Sequence, residues 1–136
     1  MQLKESARIE TMRAIVFEKT GDPREVLRLI DIEKPQLSAG NALVRVTARP
    51  IQPADLAFIR GQYRLRPTLP QTAGLEGTGV VVQVNGSGSR EGDRVALRSP
   101  GTWAEFAAIP WTRLKKVPAD IADDTACQMS LNPSYS

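Results

Sequence analysis

Ten glycines and ten prolines punctuate a chain of 136 residues, breaking it into short segments that suit strands better than a helix bundle. Proline fixes φ and lacks an N–H, while glycine opens positive φ, so both gather where a chain turns. Such a density of turns favours β structure. Aromatic residues are only 5% of the chain, which leaves the core to Val, Leu, Ile and Ala. The length fits one domain with a core of its own, and a charged fraction of 24% is ordinary for a globular protein.

Several function classes are disfavoured by the same composition. The net charge is only +3, with basic and acidic residues mixed along the chain and no aromatic interleaving, so no nucleic-acid partner is expected. No apolar run approaches the roughly 20 residues of a membrane span. The N-terminal segment carries acids and no apolar stretch, unlike a secretory signal. The single cysteine, Cys127, excludes an internal disulfide and suits a reducing compartment. A cytoplasmic location is the expectation.

Residues 1–11 read as a polar extension, with Met12 an alternative start. Strands are expected at Arg13–Phe17, Val26–Ile32 and Ala42–Ala48, the last with Leu43 out of phase. Gly21-Asp22-Pro23 is turn chemistry. Asp55–Arg60 makes one or two helical turns, with Asp55 or a neighbour serving the free amides at its start. Gly61–Ala73 reads as an exposed loop of the kind that carries function on a rigid scaffold. Strands follow at Thr78–Val84, Asp93–Arg98, Trp103–Ile109 and Arg113–Val117. A second helix runs from an N-cap at Asp123 to Asn132, before Pro133. The sum is a mainly β, barrel-like domain with two small helices.

Gly74-Leu-Glu-Gly77-Thr-Gly79 and Gly86-Ser-Gly88 invite a phosphate-binding reading. Both lead into strands, whereas a dinucleotide fingerprint requires a helix N-terminus, so both read as turns. Zinc needs three or four ligands from Cys, His and carboxylate. With no histidine and one cysteine, the chain cannot assemble a soft four-coordinate site. Glu76 reads either as a perturbed acid or as a structural partner of an arginine or of backbone amides. Tyr63 reads either as a surface ring or as a donor to oxygen where negative charge develops. Arg60, Arg64 and Arg66 around it are either a solvated loop face or an attractor of a phosphate-bearing substrate or acidic carrier.

Met12–Pro23, Ile51-Gln-Pro-Ala-Asp55, Arg60-Gly-Gln-Tyr63, Leu69-Pro70, Gly74-Leu-Glu-Gly77, Gly92-Asp-Arg-Val95, Val117-Pro118 and Leu131-Asn-Pro133 occur in an order that resembles the catalytic domain of the medium-chain dehydrogenase/reductases. The resemblance spans nearly all of residues 12–133 and implies a GroES-like, partly open β-barrel with a few short helices. In that family the residue between Gly74 and Glu76 decides whether catalytic zinc binds; here it is Leu75. The chain looks like the zinc-independent branch of enoyl-thioester reductases and quinone oxidoreductases, with Gly-Gln-Tyr63 and Gly101-Thr-Trp103 leaning toward the former.

That resemblance implies NADPH as cofactor and no zinc, with hydride delivered to the β-carbon of an activated double bond and Tyr63 helping to protonate the product. Gln52, where the family usually has Asn, and Asn132 would line the cofactor side. The expected partner is a small-molecule or thioester-linked substrate, with a homodimer also to be considered. The Rossmann domain that holds the dinucleotide is not among these residues, so the chain is expected to supply half a site and to be inactive alone. The alternative is a binding or oligomerisation module without redox activity; a zinc alcohol dehydrogenase would instead require metal in the purified protein.

Overall fold

A computed structural model of the chain describes residues 10–86, 90–118 and 120–122. The elements are β1 (Thr11–Phe17), α1 (Pro23–Val26), β2 (Leu27–Glu33), β3 (Asn41–Ala48), α2 (Pro53–Arg60), β4 (Gln71–Thr72), β5 (Glu76–Asn85), β6 (Arg94–Arg98), β7 (Phe106–Pro110) and β8 (Leu114–Lys116), with a 3₁₀ turn at Trp111–Arg113. They form two antiparallel sheets, ordered β2-β1-β4 and β7-β3-β5-β6-β8. The sheets do not close on one another, which bears out the expected partly open, mainly β domain.

β3 lies inside the larger sheet, between β7 and β5. Ala42, Val44 and Val46 point to one side and join Val81, Leu97 and Ile109 in the main core. Leu43, out of phase in the sequence, is also buried. The β3–β5 register shifts just after it: Leu43 pairs with Gln83 and Val44 with Val81. One extra residue on β5 is therefore left unpaired, as in a β-bulge. Gly79 of β5 faces the Arg45 carbonyl and the Val44 side chain so closely that a Cβ there would overlap both. Gly77 thus lies inside a strand, not in a turn, and Gly79 lies in the strand expected from Thr78 onward.

The two sheets are joined where the sequence suggests an uninterrupted strand from Trp103 to Ile109. Residues Trp103–Glu105 instead bridge from one sheet to the other. The Trp103 carbonyl accepts from Ile15 N–H at 2.9 Å, and the Glu105 carbonyl accepts from Val46 N–H at 2.9 Å. Only from Phe106 does the chain settle alongside β3. Arg49 fastens this crossing. Its Nε donates to the Thr102 carbonyl at 2.7 Å and its Nη2 to the carbonyls of Val46 and Ala104 at 3.2 and 3.0 Å. These are carbonyls that the break in the ladder leaves short of backbone donors.

The start of β2 is corrected as well. Asp22 Oδ1 accepts from Arg24 N–H at 3.0 Å and Pro23 takes the first helical position, so residues 23–26 form the short helix α1. Val26 therefore belongs to a helix. In the Gly61–Ala73 loop, Gln71 and Thr72 pair with β1 as β4, and Ala73 is fully buried. The expected helix from Asp123 to Asn132 lies outside the described residues.

A second core fills the space under α2. Phe58 and Ile59 on its inner face pack with Phe17, Leu75 and Trp103. The Phe17 and Phe58 rings meet edge to face, 5.9 Å apart at 89°, an arrangement contributing about 1 kcal/mol beyond its burial. α2 ends at Gly61, whose φ of 77° is left-handed and whose N–H returns to the Phe58 carbonyl at 3.1 Å.

Candidate functional site

The N-terminus of α2 is locked to the turn before β5 by one buried carboxylate. Asp55 Oδ2 accepts from Gln52 N–H at 2.9 Å, and its Oδ1 accepts from Leu75 N–H at 3.0 Å. Asp55 thus serves an amide at the helix start, as expected, and also pins a second element. Burial raises its pKa, while the two N–H donors pull it down. Gly74 takes a φ of 93°, and the side chains of Thr102 and Trp103 press against the place a Cβ would fill. The turn therefore delivers Leu75 and Glu76 in one fixed orientation.

Glu76 opens β5 opposite Arg98 on β6. Its carboxylate Oε2 lies 3.3 Å from Arg98 Nε, with the Glu76 side chain 4% exposed and that of Arg98 50%. Burial pushes the Glu76 carboxyl up to about 7; the Arg98 guanidinium opposes the rise and the Asp55 carboxylate adds to it. Of the two readings open for Glu76, the arginine pairing is present, and the carboxyl is perturbed as well.

Between α2, the loop after it and the start of β5 lies a cleft of about 480 Å³. Gln52, Tyr63, Leu75 and Glu76 all line it, joined by Arg64 and Arg98. Tyr63 is half-buried, its ring packed against the core under α2, and the Arg64 guanidinium lies 5.7 Å from the ring centroid. Gln52 and Tyr63, chosen from sequence, therefore share one cleft. Asn132 lies outside the described residues.

Of the three arginines around Tyr63, Arg64 lines the cleft, whereas Arg60, at the end of α2, and Arg66 do not. Arg98 and Arg113 take their place. Sequence reasoning missed these two because they come from β6 and the 3₁₀ turn. Only the β5–β6 register and the path of the chain into β8 bring them to Tyr63. Among the described residues, no group of three or more His, Cys, Asp or Glu is placed to hold a metal ion. No helix among them is long and apolar enough to cross a membrane.

Comparison with known proteins extends this picture. Residues 38–119 match the domain family described as the alcohol dehydrogenase GroES-like domain. The chain is 40% identical over 126 residues to a mitochondrial enoyl-[acyl-carrier-protein] reductase of Caenorhabditis elegans, covering 89% of this chain and 36% of that protein. It is 38% identical over 125 residues to the same-named protein of Xenopus tropicalis, again with 89% and 36% covered. The chain thus spans about a third of the length of the curated relatives it matches. Among solved structures, a quinone oxidoreductase of Pseudomonas syringae is similar with a TM-score of 0.79 at 28% identity, over 92% of this chain and 42% of that one. A mycobacterial protein solved with NADPH gives 0.77 at 36% identity, over 86% and 36%. The names of the two enoyl reductases place those proteins in mitochondria, so they lend the cytoplasmic expectation no support. The chain belongs to the alcohol dehydrogenase GroES-like domain family of the medium-chain dehydrogenase/reductase superfamily.

Proposed function

We propose that this chain is the substrate-side domain of a zinc-independent, NADPH-dependent oxidoreductase that reduces the activated double bond of enoyl thioesters, or quinones. The observation that carries this reading is the convergence of Gln52, Tyr63 and the Glu76–Arg98 pair on one cleft, although they come from a helix cap, a loop and two strands. Similarity to enoyl reductases and to a structure solved with NADPH supports it.

The start of α2 and the glycine turn offer no seat for the diphosphate of NADPH. Asp55 already occupies the Gln52 amide at the start of α2, Pro53 has no N–H, and the glycine turn leads into β5. Gln52 and Tyr63 would hold the reacting end and the substrate from the cleft wall. When bound, NADPH supplies the hydride for the β-carbon of the double bond. The Tyr63 hydroxyl stabilises the negative oxygen that develops on the substrate and gives up a proton to the product. Leu75 and the packed face of α2 exclude water from one side.

A second reading, a binding or oligomerisation module without redox activity, draws on the apolar exposure beside the cleft: Ile51 is 76% exposed and Leu65, in the cleft wall, 43%. One pair of experiments separates the two. Residues 1–136 spliced in front of the remainder of the Caenorhabditis elegans relative are expected to oxidise NADPH with a crotonyl thioester. The chain alone is expected to show no NADPH binding by calorimetry. A folded but inactive chimera, with concentration-dependent self-association of the chain alone, would favour the module.

A further inference from the structure

We infer that Asn85-Gly86, at the end of β5 away from the cleft, is a site of spontaneous covalent modification. The Gly86 nitrogen closes on the Asn85 side chain and expels ammonia, and water then opens the ring to aspartate or isoaspartate.

The chain holds three asparagines, and their neighbours separate them. Asn132 precedes Pro133, which has no N–H to lose. Asn41 precedes Ala42 and sits on a strand paired on both sides, by β5 and by β7. Asn85 alone precedes a glycine, which has no side chain to crowd the attacking nitrogen. Asn85 and Gly86 are both exposed. Gly86 has a φ of 121°, and no acceptor among the described residues takes its N–H.

Two hydrogen bonds hold Asn85 in place. Its Nδ2 donates to the Leu37 carbonyl at 3.2 Å, and its own carbonyl accepts from Gly40 N–H at 2.6 Å. The side chain must leave Leu37 before its Cγ can meet the Gly86 nitrogen. That bond is long, exposed and at a strand end, where local opening costs least.

The step balances with water alone. Hydroxide takes the Gly86 amide proton, the nitrogen bonds to Asn85 Cγ, and the Cγ–Nδ2 bond breaks as ammonia leaves with a proton from water. Water then adds to either carbonyl of the five-membered imide and breaks its bond to nitrogen. Opening at Cγ gives aspartate. Opening at the backbone carbonyl gives isoaspartate, with the main chain rerouted through the side chain. Either product sets a carboxylate where Nδ2 donated to Leu37. Isoaspartate also removes from the main chain the carbonyl that serves Gly40, and with it the Asn41–Asn85 register.

The test is to hold residues 1–136 in mildly acidic and mildly alkaline buffer at physiological temperature, then to map peptides by mass. A gain of about one dalton is expected in the peptide containing Asn85, with ammonia released and faster conversion in alkali. Isoaspartate should be found at that position, which marks the imide, since direct hydrolysis gives aspartate alone. Asn85→Gln keeps an amide but requires a six-membered ring, and should lose the gain. The wild-type mapping stands by itself if that variant does not fold. Unchanged mass in alkali, aspartate without isoaspartate, or the same gain in folded Asn85→Gln would overturn the inference.

Discussion

Two buried carboxylates, Asp55 and Glu76, do different work in the same corner. Asp55 satisfies two backbone amides at once. Asp55→Ala leaves both N–H groups without a partner and is expected to lower stability by about 3 kcal/mol, with Asp55→Asn costing less because one acceptor survives. Urea unfolding measures the difference. Glu76 holds its proton more tightly in the folded chain than in the unfolded one. Between its ordinary 4.5 and about 7 the folded state therefore binds more protons, and stability falls as pH rises. The favourable contribution is complete below 4.5 and lost above about 7. Glu76→Gln is expected to shrink the fall in urea midpoint across that window; an unchanged slope would assign it to other groups. Asp55, also raised by burial, leaves a residual slope of the same sign. At this scale the sequence already offered an arginine partner for Glu76. It could not single out Arg98, because the choice is made by the β5–β6 register.

At the level of elements, legibility follows how local the determining interaction is. β3 was readable because alternating Ala42, Val44 and Val46 report one buried face. Even the misfit of Leu43 marked a real irregularity, the register shift beside it. α1 was missed because Asp22-Pro23 begins turns and helices alike, and only the Asp22–Arg24 N–H bond separates them. Trp103–Glu105 reads as strand by composition, yet it spans two sheets, a fact set by Arg13, Ile15 and Val46 far away in sequence. Gly79 shows the same limit: its need is imposed by the β3 backbone opposite. Gly79→Ala pushes a methyl into the Arg45 carbonyl and should destabilise by about 2 kcal/mol or more. A thermal midpoint within a degree or so of wild type would show that β3 yields at little cost.

The whole molecule is a partly open pair of sheets with a cleft at one corner, walled by residues from five separate segments. Sequence order alone pointed to Tyr63 and Gln52 through a family resemblance, and the fold brings them together. It also replaces Arg60 and Arg66 by Arg98 and Arg113, which no linear motif joins. The account stands or falls on Tyr63 as the polar group of this cleft. The most direct measurement is the turnover of a crotonyl thioester by the chimera carrying Tyr63→Phe, alongside its thermal midpoint. Removing the hydroxyl while keeping the packed ring is expected to lower kcat roughly 100-fold with the midpoint unchanged. Turnover equal to that of the parent chimera would contradict the account and return Tyr63 to the role of a packing ring.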